Sequence, residues 1–341
     1  MNIAVLGTGS WGTALAKVVA DNGHEVVLWG RNREDIDEIN QHHTNHKYLP
    51  KGMIPPQVQA TEDLQRVLEH VDMIVMVVPT KAIRTVCQQI KPYLEQMISL
   101  PVLVHAAKGL EKETFYRISE MIVEELGQSY PMPVAVLSGP SHAEEVMVED
   151  ITTVTAACEN IDIAKKVQDA FINHYFRVYT NRDIVGVELG GALKNIIALA
   201  SGILSGAGYG DNSRAALMTR GLAEITRLGV KLGADPLTFS GLSGVGDLFV
   251  TCTSQHSRNF QAGYLLGQGK SLEEVEKTVQ MVVEGISTTK VARDLALIHH
   301  LDMPITFGLY DLLYQDKTVT ETVQNLMDRK RKQEETLDNY E

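Results

Sequence analysis

Hydrophobic and polar positions are arranged differently in the two halves of the chain. In the first half, short apolar runs alternate with stretches of helical periodicity, and this pattern predicts strands joined by helices. The predicted strands are Asn2–Gly7, Glu25–Gly30, Asp72–Pro79, Pro101–Gly109 and Val134–Pro140, with a last pair at Thr152–Cys158 and Tyr175–Asn181. Strands separated by helix-length connections predict an α/β fold with a parallel, doubly wound sheet.

From about Val185 onward the apolar period changes to 3.6 and strand signals largely disappear. Helices are predicted at residues 185–205, 213–232, 259–266, 271–280, 286–300 and 320–330. We therefore expect two domains, an α/β domain over 1–183 and an all-α domain over 184–341. A length of 341 residues is enough for each domain to have its own core.

The first predicted helix of the second half contains one lysine, Lys194, among apolar and small residues. Leu189, Leu193 and Ile196 follow the helical period and form a core stripe. Lys194 lies about 100° off that stripe, on a face made mostly of small side chains. Small neighbours allow another group to approach this lysine closely.

Composition narrows the functional classes. The formal net charge of −12 disfavours nucleic acid and anionic membranes as partners. No charge-free apolar run approaches the roughly 20 residues of a membrane span, and the N-terminal residues read as a strand rather than an export signal. Three widely spaced cysteines, Cys87, Cys158 and Cys252, fit reduced thiols in the cytoplasm.

The sequence GTGSWG (Gly7–Gly12) directly follows the first predicted strand and opens a helix. In that context Gly7 allows a tight turn, Gly9 lets the backbone approach a pyrophosphate, and Gly12 allows close packing of helix and strand. Free N–H groups at the helix start would hold the anion. The alternative is a structural turn without a ligand.

The end of the second predicted strand bears on the choice of dinucleotide. An NAD site usually has a carboxylate there for the ribose 2′-hydroxyl, whereas this chain has Arg31 and Arg33 before its first acid, Glu34. Guanidinium groups suit a 2′-phosphate, so we expect NADPH to be preferred, with NADH tolerated. Alternatively, both arginines are solvated loop charges, and Arg33 is the weaker candidate.

Two further strand ends carry polar residues where α/β sheets bind ligands. Lys108 follows one buried strand, and Gly139 and Ser141 follow another, at the start of a helix. We expect these residues to bind substrate. Lys108 can also be read as an ordinary surface lysine.

In the second half, the Gly-rich stretch Gly241–Gly263 contains Asp247 and the triplet Ser257, Arg258 and Asn259. A hydroxyl, a forked cation and an amide at a helix start suit an oxyanion. The simpler reading is a helix cap by Ser257 next to an exposed arginine.

Reduction of a ketone by hydride needs a proton donor at the developing alkoxide. Lys194 is the candidate for that role, and Asp247 could orient it. The alternative is a lysine that extends its amine to solvent from the helix surface.

Two other features are weaker candidates for chemistry. His42, His43 and His46 lie close in sequence, but no cysteine or acidic cluster accompanies them, so a polar loop is preferred over a metal site and no metal is expected. Cys252 lies between threonines without an evident base, which argues against a nucleophile.

Six ordered blocks of sequence resemble one family over nearly the whole chain. They are VLGTGSWGTALA, AKGLE, GPSHAEEV, ELGGALKNIIALASG, GVGDLFVTCTSQHSRN and VVEGISTT. Together they resemble the bacterial NAD(P)-dependent sn-glycerol-3-phosphate dehydrogenases. The resemblance implies a Rossmann-like N-terminal domain, a helical C-terminal domain, and reduction of dihydroxyacetone phosphate to sn-glycerol 3-phosphate for phospholipid synthesis.

The resemblance also implies roles for individual residues. Lys194 would donate or accept the proton, and Lys108 would contact both cofactor and substrate. The residues implied to contact glycerol phosphate are Gly139, Ser141, Asp247, Ser257, Arg258 and Asn259. Those implied to bind NADPH are Ser10, Trp11, Arg31, Ala143, Val282 and Glu284, together with Arg258.

Two rival functions stay open from sequence. One is a related two-domain reductase of the ketopantoate or 3-hydroxyacid type, which would bind a carboxylate instead of a phosphate. The other is a regulatory module that binds NADPH without turnover, although such a module needs no pair of lysines. A homodimer formed through the helical half is also expected.

Overall fold

The computed structural model describes residues 1–279 and 283–330, which fall into two compact units. The first unit contains Met1–Lys108 and Tyr116–Ile184. The second contains Gly109–Phe115 and the described residues from Val185 onward. The sequence pattern does not indicate that Gly109–Phe115 packs with the second unit.

Within the described residues, the first unit is built on one eight-stranded sheet. Its strands are β1 (Asn2–Leu6), β2 (Glu25–Trp29), β3 (Gln59–Thr61), β4 (Met73–Met76), β5 (Val102–His105), β6 (Ala135–Ser138), β7 (Thr152–Ala157) and β8 (Phe176–Asn181). They lie in the order β3-β2-β1-β4-β5-β6-β7-β8. All predicted strands are confirmed. The short β3 was not predicted because its sequence, QAT, has no apolar run.

Among the described strands, the sheet is mostly parallel, as predicted, with one antiparallel pair. β7 runs antiparallel to β6, with Val136 opposite Ala157, whereas the other neighbouring strands are parallel. The β6–β7 connection contains only a five-residue helix, Ala143–Met147. At about 1.5 Å per residue that helix is too short to carry the chain back along the sheet, as a parallel connection requires.

Helices cover both faces of the sheet. One face holds α1 (Ser10–Asp21), α2 (Arg33–His42), α6 (Ala143–Met147) and α7 (Ile161–Phe171), and the other holds α3 (Leu64–Leu68), α4 (Ile83–Leu94) and α5 (Ile118–Leu126). Successive β1 residues alternate between the two cores, with Val5 in one and Leu6 in the other. This arrangement is the predicted doubly wound, Rossmann-like domain.

Among its described residues, the second unit consists of helices joined by loops, with no strand. Its helices are α8 (Ile184–Gly206), α9 (Asp211–Lys231), α10 (Asp247–Thr253), α11 (Arg258–Gly267), α12 (Leu272–Val279), α13 (Glu284–Ile298), α14 (Pro304–Tyr314) and α15 (Val319–Met327). The six predicted helices are confirmed, and α10 and α14 were missed. α10 was read as loop because glycines precede it, but Leu242–Gly246 forms a π-helical turn that leads directly into α10.

α8 is the central core helix of this unit. Among the described residues, it is the one helix long and apolar enough to cross a membrane, but 89% of its most apolar window is buried inside the protein. Leu193, Ile196 and Ile203 belong to the unit's apolar core. A Cβ at Gly202 would overlap the carbonyl oxygen of Phe260 in α11. The small residues of α8 therefore allow neighbouring helices to pack closely against it.

Candidate active site

The loop between β1 and α1 has the geometry of an anion-binding turn. Gly7 has φ +131°, and a Cβ there would lie 2.7 Å from the carbonyl oxygen of Val77. A Cβ at Gly12 would overlap the carbonyl oxygen of Gly7, whereas one at Gly9 would meet nothing within 4 Å. No side chain caps the start of α1 at Gly9. An open backbone at a helix N-terminus fits the pyrophosphate of a dinucleotide.

Ser10 and Trp11, implied by resemblance to bind the cofactor, are the first two residues of α1. Trp11 is partly buried, and its ring centroid lies 6.5 Å from that of Phe176. Both residues stand next to the open glycine loop. The structure thereby brings together Gly7, Gly9, Ser10, Trp11 and Gly12 in one turn.

Asn45, which the sequence pattern did not indicate, stabilises this loop through hydrogen bonds. Its side-chain nitrogen donates hydrogen bonds to the carbonyl oxygen of Thr8 and to Oγ1 of Thr13, each at 2.9 Å. Asn45 belongs to the segment whose histidines were weighed as metal ligands. The sequence indicated only that Asn45 lies in a polar stretch, which also contains Asn40.

In the structure, that segment comprises the end of α2 at His42 and the loop that follows it. His46 contacts Glu38 through Nδ1 at 2.6 Å, and His43 ends α2 in the left-handed conformation with φ +55°. Among the described residues, no group of three or more His, Cys, Asp or Glu side chains is arranged to hold a metal ion.

Arg31 lies two residues after the end of β2 and is exposed. Arg33 is the first residue of α2, and its Nε lies 3.9 Å from Asp37 across an exposed pair. Asn32, between the two arginines, caps α2 by accepting a hydrogen bond from the backbone N–H of Glu34. Arg31 is thus placed at the strand end where a ribose substituent is recognised in this fold, whereas Arg33 is drawn toward its own helix.

Three of the predicted substrate residues meet at the ends of β5 and β6. Nζ of Lys108 donates to the carbonyl oxygen of Gly139 at 3.2 Å, and Oγ of Ser141 donates to the same oxygen at 3.0 Å. Gly139 has φ +151°, and a Cβ there would lie 2.9 Å from Cα of Val154. Ala143 begins α6 nearby in sequence and is buried.

The structure shows what approaches Lys194. The lysine is 5% exposed, and its Nζ forms an ion pair with Asp247, which is 1% exposed. Nζ also donates to Oγ1 of Thr251 at 2.7 Å, and that hydroxyl donates to the backbone carbonyl of Asp247 at 2.6 Å. α10 therefore lies against the small-residue face of α8. The expected contact between Asp247 and Lys194 is present, and Thr251 is a further partner that the sequence did not indicate.

The triplet before and within α11 has structural contacts. Oγ of Ser257 caps the helix by accepting the N–H of Phe260 at 3.2 Å, which is the simpler of the two readings from sequence. Nδ2 of Asn259 donates to Oδ1 of Asn195 at 2.9 Å, and Oδ1 of Asn259 accepts the N–H of Gly285 at 2.8 Å. Asn259 thus connects α11 with α8 and with the start of α13. Arg258, the first residue of α11, is exposed.

The remaining cofactor prediction falls at the start of α13. Glu284 is the first residue of that helix and is half-buried, and its carbonyl oxygen accepts a hydrogen bond from Oγ1 of Thr288 at 2.8 Å. Val282 lies outside the described residues. Gly285, the residue after Glu284, donates a hydrogen bond to Asn259. Asn259 in turn donates to Asn195, which is next to Lys194 in the chain.

Cys252 does not have the environment of a nucleophile. It is fully buried, and burial raises the pKa of its thiol to about 12. Its carbonyl oxygen accepts a hydrogen bond from Oγ of Ser201 at 2.9 Å. This residue helps to pack α10 against α8.

Comparison with known proteins gives a consistent result across the chain. Residues 2–164 match the family model of the N-terminus of NAD-dependent glycerol-3-phosphate dehydrogenase, and residues 183–324 match that of its C-terminus. Glycerol-3-phosphate dehydrogenase [NAD(P)+] of Enterococcus faecalis is 57% identical over 338 residues, with 98% of each chain covered. The enzyme of the same name from Geobacillus kaustophilus is 57% identical over 334 residues, covering 98% of this chain and 96% of that one.

A solved structure agrees with the sequence comparison. The crystal structure of glycerol-3-phosphate dehydrogenase from Coxiella burnetii matches with a TM-score of 0.89 at 40% identity, covering 96% of this chain and 98% of that chain. Both halves of the chain thus match the same kind of enzyme in sequence, and 96% of the chain matches it in fold. The chain belongs to the NAD-dependent glycerol-3-phosphate dehydrogenase family.

Proposed function

We propose that the protein reduces dihydroxyacetone phosphate to sn-glycerol 3-phosphate with NADPH or NADH, reversibly, and that Lys194 exchanges the proton. The observation that carries the proposal is the buried Lys194, held by Asp247 and Thr251, in a chain of this family. A buried ammonium fixed by two partners is positioned as a general acid requires.

The first unit supplies the dinucleotide site in this proposal. The open backbone of Gly9 and the uncapped start of α1 fit a pyrophosphate, so the turn from Gly7 to Gly12 binds it. Arg31 binds the 2′-phosphate and gives a preference for NADPH. Further contacts to the cofactor come from Ser10, Trp11, Lys108, Ala143, Arg258, Val282 and Glu284.

The substrate is an anion in a protein of net charge −12, so local cations and N–H groups must overcome the overall field. Lys108 is held at Gly139 together with Ser141, which groups a cation and a hydroxyl at one strand end. Arg258 supplies a guanidinium suited to phosphate. The residues proposed to contact the substrate are Lys108, Gly139, Ser141, Lys194, Asp247, Ser257, Arg258 and Asn259.

The chemical step divides between cofactor and protein. When held at the turn Gly7–Gly12, NADPH would supply the hydride for C2 of the ketone. Lys194 gives a proton from Nζ to the oxygen that becomes the C2 hydroxyl, and it takes that proton back in the reverse direction. Asp247 balances the charge of Lys194 and, with Thr251, keeps Nζ in one position, so that less reorganisation is needed at the moment of reaction.

The proposal also includes the location, the oligomeric state and the metabolic role of the protein. We propose that the protein acts in the cytoplasm, as a homodimer, and supplies glycerol phosphate for phospholipid synthesis. Residues 1–183 act as the cofactor domain and 184–341 as the substrate and catalytic domain. No nucleic acid or membrane insertion is involved in this proposal.

A substrate panel tests the proposal against both rival functions. NADPH oxidation is followed with dihydroxyacetone phosphate, unphosphorylated dihydroxyacetone, ketopantoate and a 3-oxo acid. We expect rapid turnover with the phosphorylated ketone alone. Turnover of the carboxylates would indicate the related reductases, and tight NADPH binding without turnover of any ketone would indicate a sensor. Either result contradicts the proposed reaction.

A further inference from the structure

We propose that Asn45 is a positioning residue for the dinucleotide-binding turn, Gly7–Gly12, and that it acts by orienting the peptide group between Thr8 and Gly9. The inference rests on the proposed binding of a dinucleotide at that turn. It assigns a function to the polar segment His42–His46, which has no part in the chemistry described above.

Asn45 reaches the turn with both hydrogens of its amide. Nδ2 donates to the carbonyl oxygen of Thr8 at 2.9 Å and to Oγ1 of Thr13 at 2.9 Å. Asn45 is 1% exposed and Thr13 is fully buried. An amide group has two N–H donors, and here each has a different acceptor.

The bond to Thr8 determines where the next N–H points. The carbonyl of Thr8 and the N–H of Gly9 belong to one planar peptide unit, and the described residues contain no cis peptide bonds. In a trans peptide the C=O and N–H point in opposite directions. With the Thr8 oxygen directed at Asn45, the Gly9 N–H points away from Asn45, as an anion at the turn requires.

The bond to Thr13 fixes the start of the helix in the same way. Thr13 lies in the first turn of α1, and its own N–H donates to the carbonyl oxygen of Gly9 at 3.0 Å. Asn45 therefore holds residues on both sides of Gly9. Without it, the buried Thr8 carbonyl and Thr13 hydroxyl would each lose a partner, and the turn would gain freedom to rotate.

Asn45 is itself held firmly. Its backbone carbonyl oxygen accepts hydrogen bonds from the N–H of Tyr48 at 3.2 Å and of Leu49 at 2.8 Å, and Leu49 is 2% exposed in the core. The neighbours of Asn45 in the chain are both bound by Oε1 of Glu38, through the Thr44 hydroxyl at 2.8 Å and the His46 N–H at 2.9 Å. The amide is thus preorganised before any ligand arrives.

The test measures NADPH binding directly, by calorimetry on the full chain, for the wild type and Asn45→Ala. We expect the Kd for NADPH to rise about tenfold, since two hydrogen bonds that support the turn are lost. With NADPH and dihydroxyacetone phosphate both saturating, kcat should stay within about threefold, because Asn45 does not touch the reacting atoms.

Asn40 provides a matched control. Its side chain also makes two hydrogen bonds, donating to the carbonyl oxygen of Ala60 at 2.9 Å and accepting the Ala60 N–H at 2.8 Å. Asn40→Ala should lower the thermal stability but leave the Kd within about twofold. An equal rise in Kd for both variants, or no rise for a folded Asn45→Ala, would overturn the proposal.

A second pair of variants covers the case in which Asn45→Ala does not fold. Thr13→Val removes one acceptor at nearly constant shape and should raise the Kd about threefold, whereas Thr13→Ser keeps the hydroxyl and should restore it. Equal Kd values for these two variants would contradict the proposal. If the wild type itself fails to bind NADPH, the proposed cofactor site is wrong; if it binds and the variants bind equally, only the role of Asn45 is wrong.

Discussion

Lys17 and Lys194 are buried to nearly the same degree, 6% and 5% exposed, and both are paired with carboxylates. Lys17, on α1 of the first unit, donates to Asp21 at 2.5 Å and to Glu149 at 2.9 Å. Lys194, on α8 of the second unit, is paired with the carboxylate of Asp247 and donates to the hydroxyl of Thr251. Burial and ion pairing alone therefore do not distinguish a structural lysine from a catalytic one.

The surroundings of Lys17 explain a structural role. Its Nζ lies 5.2 Å from the ring centroid of Tyr175, whose hydroxyl donates to Asp21 at 2.6 Å. Burial lowers the pKa of Lys17, but the hydrogen bonds with Asp21 and Glu149 outweigh this effect and leave the pKa above its usual value. A lysine whose proton is held more tightly suits a permanent link between α1 and the residues around β8.

The surroundings of Lys194 differ from those of Lys17 in the polar partners of the amine and in the packing of the nearby backbone. The ammonium is paired with the buried carboxylate of Asp247, and the short turn Leu242–Gly246 leads directly into the helix that carries Asp247 and Thr251. A Cβ at Gly190, in the same helix as Lys194, would overlap the carbonyl oxygen of Ser243 in that turn. Close packing of this turn and of the following helix against one face of α8 fixes the position of the amine, as a proton donor requires.

Removing Lys17 should lower stability without lowering activity. In Lys17→Met, Asp21 and Glu149 lose their shared cation, and we expect the free energy of unfolding to fall by about 2–3 kcal/mol. This is less than for a fully buried pair because both carboxylates are partly exposed. Urea unfolding measures the change. The activity of the folded variant should stay within about threefold, and a loss of a hundredfold would erase the distinction between the two lysines.

Removing Arg31 tests whether this exposed cation of the first unit binds the cofactor, in contrast to the buried Lys17, for which we expect only a structural role. We expect Arg31→Ala to raise the Kd for NADPH about tenfold and to leave the Kd for NADH within about twofold, because one charge-assisted contact to the 2′-phosphate is lost. Arg33→Ala is the control and should change both values less than twofold. Equal losses for the two dinucleotides would contradict the proposed NADPH preference.

Glu224 extends the comparison to a buried carboxylate of the second unit that has a structural role. It is 3% exposed and accepts hydrogen bonds from the N–H groups of Ile305 and Thr306 at the start of α14. Burial raises the pKa of Glu224 to about 7 from its usual 4.5, against the effect of these hydrogen bonds. Its contribution to stability is therefore fully present below pH 4.5 and is lost as the pH rises through about 7.

The corresponding experiment compares unfolding at about pH 5.5 and about pH 8 for the wild type and Glu224→Gln. The wild type should lose more stability than the variant over this interval, by about 2 kcal/mol, since glutamine does not titrate. Identical pH dependence in the two proteins would show that Glu224 does not titrate there. The turnover of both should be similar at constant pH.

Features that depend on neighbouring residues could be predicted from the sequence, whereas most features that depend on distant residues could not. The turn Gly7–Gly12 and the buried strands follow from neighbouring residues, and both are present in the structure. The contact between Lys194 and Asp247 spans 53 positions, yet it was expected from chemistry, because a buried lysine needs an acid and Asp247 stands alone in a Gly-rich stretch.

Features that depend on distant partners were missed. α14 is capped by Glu224, 81 positions away, although Pro304 at its first position is a helix-start signal. Asn45 reaches Thr8 across 37 positions, and its own segment gave only a polar pattern. The antiparallel β7 depends on how far a five-residue helix can carry the chain. None of these three features produces a repeating hydrophobic pattern in the sequence from which it could be predicted.

The most direct test of the central claim is the turnover number of Lys194→Met beside that of Lys17→Met, with NADPH and dihydroxyacetone phosphate saturating. Each variant is first shown to be folded and to bind NADPH as the wild type does, because Lys194→Met leaves Asp247 buried without its cation. The account predicts a loss of about 10²–10⁴-fold for Lys194→Met and less than about threefold for Lys17→Met. A loss below tenfold for Lys194→Met, or equal losses for both, would contradict the assignment of the proton to Lys194.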